Sequence, residues 1–345
     1  MLYATTRSKH DVVTSYKTIH TDCYSDGGLY VPFTLPKLSG QELSALLQKS
    51  CCGIIADVLE MFFSTSLQES DVEGVIGKKP IRSVKFSNRL SMTELWHNPG
   101  GDSAYLVQKL SDLLRTVGKG EKPTNWVNVA VQVALLFASY ANLAATGFLR
   151  GSCPVDVAVT VGDFSVPAAC WYAKQMGLPI GKLVLGCNAN GGVWDFLNRG
   201  EFPTGDAVIH TTTPNADFVV PRDLERLIHG AFGVAENSKY LLCCRRGRVY
   251  LPPEEQLQDV TESMFAAVTS DARMKAIVSG IYRNRGYVMS PYSALAYGSL
   301  QDYRAMTGET SQVMLLAERS PLQDGALVSS LLRIQEQELH KKLGI

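Results

Sequence analysis

Val155 to Val161 is an almost unbroken apolar run, and it leads directly into Gly162-Asp163-Phe164-Ser165. No other feature restricts the fold of this chain as much. A strand that is apolar on both faces must be covered on both faces, which is the habit of parallel sheets and not of half-exposed antiparallel ones. The glycine turn opens a helix from about Pro167 to Met176, Gly177-Leu178-Pro179 ends it, and Lys182 to Gly186 reads as a second buried strand. Strand, turn, helix and strand form a βαβ unit, so the chain is expected to be an α/β protein with a parallel sheet. Ligands of such sheets sit beyond the carboxyl ends of the strands, which places Gly162 to Val166 on the binding edge.

The remaining elements are read around this unit. Leu29 to Pro32 is a short strand after the Asp26-Gly27-Gly28 turn, and Gly40 to Phe63 has helix-period apolar positions. The loop Asn98-Pro99-Gly100-Gly101 leads into an amphipathic helix from Tyr105 to Val117, and the polar junction Gly118 to Thr124 is the best candidate for a domain edge. After the βαβ unit come a loop at Asn188 to Gly192 and helices at Val193 to Leu197 and Arg222 to Ala231. Lys239 to Cys244 reads as a buried strand, Glu255 to Leu300 as mostly helical, and Val313 to Leu316 as a final short strand before a charged helix.

Composition excludes several function classes. With 33 basic and 33 acidic side chains the chain lacks the cationic excess that phosphate neutralisation requires, so nucleic acid is not an expected partner. Pro123 to Leu149 carries no charge and is long enough to cross a bilayer, but Asn125, Asn128, Gln132, Ser139, Asn142 and Thr146 interrupt it. A core helix, and no membrane span, is the expectation. The eight cysteines include no C-x-x-C pair, so they read as small buried hydrophobes in a reducing compartment, intracellular and most simply cytoplasmic. The six histidines form no His-Glu-x-x-His pair and no Gly-x-Ser-x-Gly is present, so neither a metal site nor a hydrolase elbow is predicted. His97 is read as a packed loop histidine, and Arg245-Arg246-Gly247-Arg248 as a solvated turn after a strand. Met1 to His10 is basic and free of acids, the composition of a transit peptide.

A series of collinear segments resembles threonine synthase, a pyridoxal-phosphate (PLP) enzyme of fold-type II. Tyr3-Ala4-Thr5-Thr6-Arg7 and Asp26 to Pro32 are similar to that family's opening signature, which assigns residues 3–7 to the folded body. Glu94 to Pro99 resembles the approach to its PLP lysine, and Asn125 to Tyr140 its buried helix. Gly162 to Ser165 with Tyr172 to Ile180 resembles its phosphate loop and the helix that follows. Pro214 to Asp217, Glu225-Arg226 and Ser290 to Ala294 extend the likeness. The resemblance implies an α/β large domain of the tryptophan synthase β-like kind with a parallel sheet. It divides the chain into an N-terminal region at 1–85, a remnant of a truncated small PLP domain at 86–124, and a large domain with C-terminal helices at 125–345.

The departures bear on chemistry. A PLP enzyme needs a lysine amine for its Schiff base and for proton transfer. Where the family has Phe-Lys-Asp this chain has Ser103-Ala104-Tyr105, and alanine does neither job. Lys109 lies five residues on, about 7.5 Å of rise and about 140° of rotation away, so its amine would leave from another face. The family's Gly-Asn-Phe-Gly-Asn phosphate loop reads Gly162-Asp163-Phe164-Ser165-Val166. A carboxylate there repels phosphate, so a strand-to-helix turn capped by Asp163 or Ser165 is expected. Ser-Gly-Asp-Thr-Gly is missing, and the family's Thr-Ala-His-Pro, whose threonine faces the cofactor ring nitrogen, aligns with Glu318-Arg319-Ser320-Pro321.

The expectation is therefore a catalytically inactive threonine synthase-like protein, a pseudoenzyme acting as a structural or binding subunit, with no cofactor and with a protein partner or assembly. A homo-oligomer is compatible with it. The alternatives are a PLP-dependent lyase of the threonine synthase type, converting O-phosphohomoserine to threonine, and a metabolite-binding sensor. The positions that decide are Ala104, the loop Gly162 to Val166, and Glu318.

Overall fold

The computed structural model describes residues 1–118, 124–149 and 154–344. Cys153 and most of the Gly118 to Thr124 junction, with it the end of the 86–124 region, lie outside the described residues. At the amino end β1 (Leu2–Thr5) pairs antiparallel with both β2 (Ser8–Thr14) and β3 (Tyr30–Pro32), a three-stranded sheet in the order β2-β1-β3.

The main sheet has six strands. They are β4 (Arg82–Ser87), β5 (Leu90–Glu94), β6 (Val155–Thr160), β7 (Ile180–Cys187), β8 (Met264–Val268) and β9 (Val313–Ala317), in the order β4-β5-β9-β6-β7-β8. Every pairing is parallel except the β4–β5 hairpin at one edge. Strand β5 thus builds residues 90–94 of the 86–124 region into this sheet, while Ser103–Gly118 forms a helix against its flank.

The apolar strand runs follow from the two-residue period of a sheet covered on both sides. Val155, Val157 and Val159 of β6, with Met314 and Leu316 of β9, face one core; Ala158, Val313 and Leu315 face the other. The first core is built on the helices Cys51–Phe63 and Asn125–Ala145, the second on Asp271–Arg285 and Pro291–Thr307. Gly186 is required where Pro291–Thr307 crosses β7, because a Cβ there would lie 2.5 Å from the Ala296 amide nitrogen.

Asn125–Ala145 is the uncharged stretch noted above. It is long and apolar enough to cross a membrane by composition, yet 72% of its most apolar window is buried inside the fold. Thr124 caps it by accepting from the Val127 amide, and the wholly buried Trp126 packs edge-on against Tyr3, Phe62 and Tyr172. This helix therefore ties the amino-terminal sheet to the main one.

Two readings of the sequence are corrected. Lys239 to Cys244 is not a strand but part of the helix Leu224–Arg246, which bends at Gly233. The five-residue apolar run Tyr240 to Cys244 has no period of its own to separate strand from helix. The place beside β7 is taken by β8, inside the stretch read as mostly helical. It follows that Arg245 and Arg246 close a helix, with Gly247 as its left-handed cap, where cations suit the negative end of the dipole.

Candidate functional site

The carboxyl ends of β6 and β9 open into a cavity of about 580 Å³. It is lined by Ala104, by Gly162, Asp163, Ser165 and Val166, and by Glu318, together with side chains from three further segments. All three positions marked in the sequence therefore border one space. Phe164 alone among the loop residues turns away, into the first core.

Backbone pairing explains the convergence. The Ser103 amide donates to the Glu318 carbonyl at 2.7 Å, Asp102 bridges Arg319, and the Ser320 amide donates to the Gly101 carbonyl. The segment after β9 is thus pinned antiparallel to the start of the Ser103–Gly118 helix, so Ala104 stands beside Glu318. Ala104 is exposed to the cavity. No lysine is among the residues lining it. Lys109 is exposed, its ammonium 5.4 Å from the centre of the Tyr105 ring. Lys174 donates to the Gly181 carbonyl at the opposite end of β7, where burial and then Lys182 lower its pKa.

The loop after β6 makes its turn with Gly162 and Phe164 both at positive φ, 51° and 69°. Asp163 Oδ1 accepts from the Ser165 amide at 2.9 Å and from the Ser165 hydroxyl at 2.6 Å. The carboxylate therefore occupies the N-terminus of the Ser165–Gln175 helix, where a bound anion would otherwise find amide donors. Glu318 is pushed up to about 8, by burial first and by the neighbouring Asp163 carboxylate second, against a lowering hydrogen bond from Ser103.

Sequence reasoning missed the opposite wall. Asn125, Asn128 and Gln132 recur at helical spacing along one face of Asn125–Ala145 and line the cavity. They were read only as interruptions of an apolar run, although their shared face was a signal. Asn215 and Phe218 reach the cavity from a loop. That loop is held by Asp217, which accepts from Asn188 at 2.7 Å and from Thr211 at 2.7 Å, so the Asn188 to Gly192 turn supports the rim without lining it. Arg319 also lines the cavity; it pairs with Asp324 at 3.4 Å and lies over the Tyr292 ring.

His97 is elsewhere. Its ring stacks on Trp96 and meets Glu94 at 2.6 Å, while Glu94 also accepts from Tyr287. Of the cysteines, Cys52, Cys170 and Cys187 are buried, whereas Cys23, Cys51, Cys243 and Cys244 are half-buried. Among the described residues, no three His, Cys, Asp or Glu side chains are grouped to hold a metal.

Comparison with known proteins places this geometry in context. Residues 2–79 match the family model of the threonine synthase N terminus. Human threonine synthase-like 1 (Homo sapiens) is 27% identical over 187 residues, covering 52% of this chain and 25% of that protein. The threonine synthase of Eremothecium gossypii is 38% identical over 104 residues, 30% of this chain and 20% of the other. The matches thus span about a quarter or less of the length of these relatives. Among solved structures, PLP-bound threonine synthase from Brucella melitensis superposes with a TM-score of 0.83 at 17% identity, covering 99% of each chain. Yeast threonine synthase gives 0.84 at 15% identity, covering 100% of this chain and 94% of that one. Residues 2–79 are similar to the N terminus of threonine synthases, and the chain is similar to solved threonine synthases in fold from end to end.

Proposed function

For a relative of the threonine synthases built on their fold, we propose that catalysis through PLP has been given up and that the cleft serves as a non-covalent binding site in a structural or binding subunit. The observation that carries this reading is Ala104 on the cavity wall, with no lysine among the residues lining the cavity. A Schiff base needs an amine within bonding reach, and catalytic geometry tolerates little displacement. Neither Lys109, held over Tyr105, nor Lys174, held at Gly181, supplies one.

The phosphate loop supports the same reading. A PLP phosphate requires unoccupied amides at the helix start, and Asp163 puts its carboxylate on the first of them, that of Ser165. The residues present do not suit PLP. The fold alone decides nothing here, since one fold carries many functions.

Absorbance and reduction test the proposal. Adding PLP to the purified chain is expected to give no Schiff-base band and, after borohydride, no pyridoxyl group on any lysine. A reducible band traced to one lysine would restore a PLP-dependent lyase of the threonine synthase type.

A protein partner is part of the proposal, and a reducing, cytoplasmic setting accords with the free cysteines. Its support is the exposed apolar side chains Val208, Ile209, Phe218 and Val220 within residues 208–220, of which Phe218 lines the cavity. Cross-linking under native conditions would test it, a homo-oligomer being one outcome and a monomer without partners the adverse one.

A further inference from the structure

We propose that the cleft selects a small organic cation, an ammonium or guanidinium group on an apolar stem, where a glycine-rich loop at a strand end ordinarily takes an anion. The proposal rests on the reading above, that no Schiff base forms in this cavity, and it goes further by naming the class of ligand.

The argument is an account of donors and acceptors. Asn125 Nδ2 faces the Asp223 carboxylate at 3.2 Å, which fixes the amide so that Oδ1 is the unpaired atom. The Ser165 hydroxyl donates to Asp163 and therefore accepts from Gln132 Nε2 at 3.3 Å, which leaves Gln132 Oε1 without a partner. Both residues line the cavity, as do the carboxyl groups of Asp163 and Glu318. Two buried amide oxygens and the second Asp163 oxygen are thus acceptors without donors, and Glu318 adds another once it ionises; unpaired buried acceptors are costly.

The cationic side is already engaged. Arg319 is the one basic residue among those lining the cavity, and Asp324 and the Tyr292 ring hold it. An anion entering would meet Asp163 and Glu318 with no free positive charge to receive it. A cation gains from both carboxyl groups and relieves their mutual repulsion. Val107, Val161, Val166 and Leu316 supply apolar wall for a stem, and Tyr292 and Phe218 supply aromatic faces.

Glu318 gives the proposal a pH signature. The groups that face it are Asp163 from the loop after β6, Cys170 from the Ser165–Gln175 helix, Ser103 and its neighbour Arg319. Because its carboxyl holds a proton up to about 8, a cation must displace that proton to bind, so affinity rises as pH rises through that value. A bound anion would show the opposite slope.

Calorimetric titration of the full chain with butylguanidine, whose guanidinium stays charged throughout, tests this. Affinity is expected to rise roughly thirtyfold between about pH 6.5 and about pH 9. Glu318→Gln is expected to bind roughly tenfold more weakly with a flat profile, while its melting curve confirms that it folds. A flat profile in the unmodified chain, equal binding by E318Q, or displacement of butylguanidine by inorganic phosphate would overturn the proposal. Failure of butylguanidine to bind while PLP also forms no Schiff base defeats this inference alone; a Schiff base with PLP defeats the functional reading with it.

Discussion

Two clusters of charged side chains adjoin near the start of the Asn125–Ala145 helix, where the Asp223 amide donates to the Asp163 carbonyl, and they are handled differently. In the first, the fully buried Arg226 pairs with Asp223, donates to the Tyr30 carbonyl at 3.2 Å and lies over the Trp126 ring at 5.6 Å. Its neighbour Glu225 accepts from Thr6 and Asn237 and pairs with Arg7 at 3.6 Å. Here each charge meets its opposite. In the second, burial and the neighbouring Asp163 carboxylate keep the Glu318 carboxyl protonated up to about 8, and amide oxygens lack donors. The first arrangement joins the N-terminal sheet to the large domain and pairs its charges internally, although Arg226 Nη2 and Asn237 Oδ1 make no hydrogen bond. The second is completed only by something that enters.

Breaking the first cluster should have the largest effect. Asp223→Ala leaves the Arg226 guanidinium buried without its counter-ion, a loss of about 3–5 kcal/mol that urea unfolding would register. A loss below about 1 kcal/mol would mean that the two clusters do not differ in the way described.

Changing the second cluster should work in the opposite direction, with an effect that grows as pH rises from about 4.5 to about 8. The folded-state pKa of Glu318 is raised, so its favourable contribution is present at acid pH and is lost as pH climbs through about 8. Glu318→Gln removes that loss. The variant is expected to gain on the order of 1–3 kcal/mol over the unmodified chain at about pH 9 and little at about pH 4. Parallel melting curves at the two pH values decide it; equal offsets at both would refute the like-charge account.

Smaller effects sharpen the contrast. Ser165→Ala deletes the hydroxyl that links Asp163 to Gln132 and is expected to cost about 1 kcal/mol in denaturant unfolding. Lys109→Met removes an exposed cation from the Tyr105 ring, and a change within about 0.5 kcal/mol is expected. The response of that variant to added PLP should match the unmodified chain, whereas a lost absorbance band would make Lys109 the missing amine.

The sequence made some of these features legible and hid others for physical reasons. The unit β6, loop, helix, β7 was readable because an apolar run covered on both faces has few alternatives. Likewise, Ala104 and Glu318 were marked by the resemblance before the cavity brought them together. Lys239 to Cys244 was misread because a short apolar run suits a strand or one face of a helix, and the exposed Leu242 reveals which only in three dimensions. Strand β8 was hidden by flanking helical sequence. Asn215, Phe218 and Arg319 reach the cleft from loops, where no periodicity announces a shared direction. The pairing of residues 101–103 with 318–320 depends wholly on tertiary structure.

The place of β9 in the sheet has a consequence for the order of assembly. It lies between β5 and β6, although its residues are the last of any strand in the sequence. Until Val313 to Ala317 is inserted, β4 and β5 cannot join β6, β7 and β8, and two half-sheets present unpaired inner edges. Such long-range closure is slow, and the open edges are sites where misassembly begins. During synthesis, then, the seam of this sheet stays open until Val313 to Ala317 has left the ribosome, and the cleft that depends on it cannot form before that.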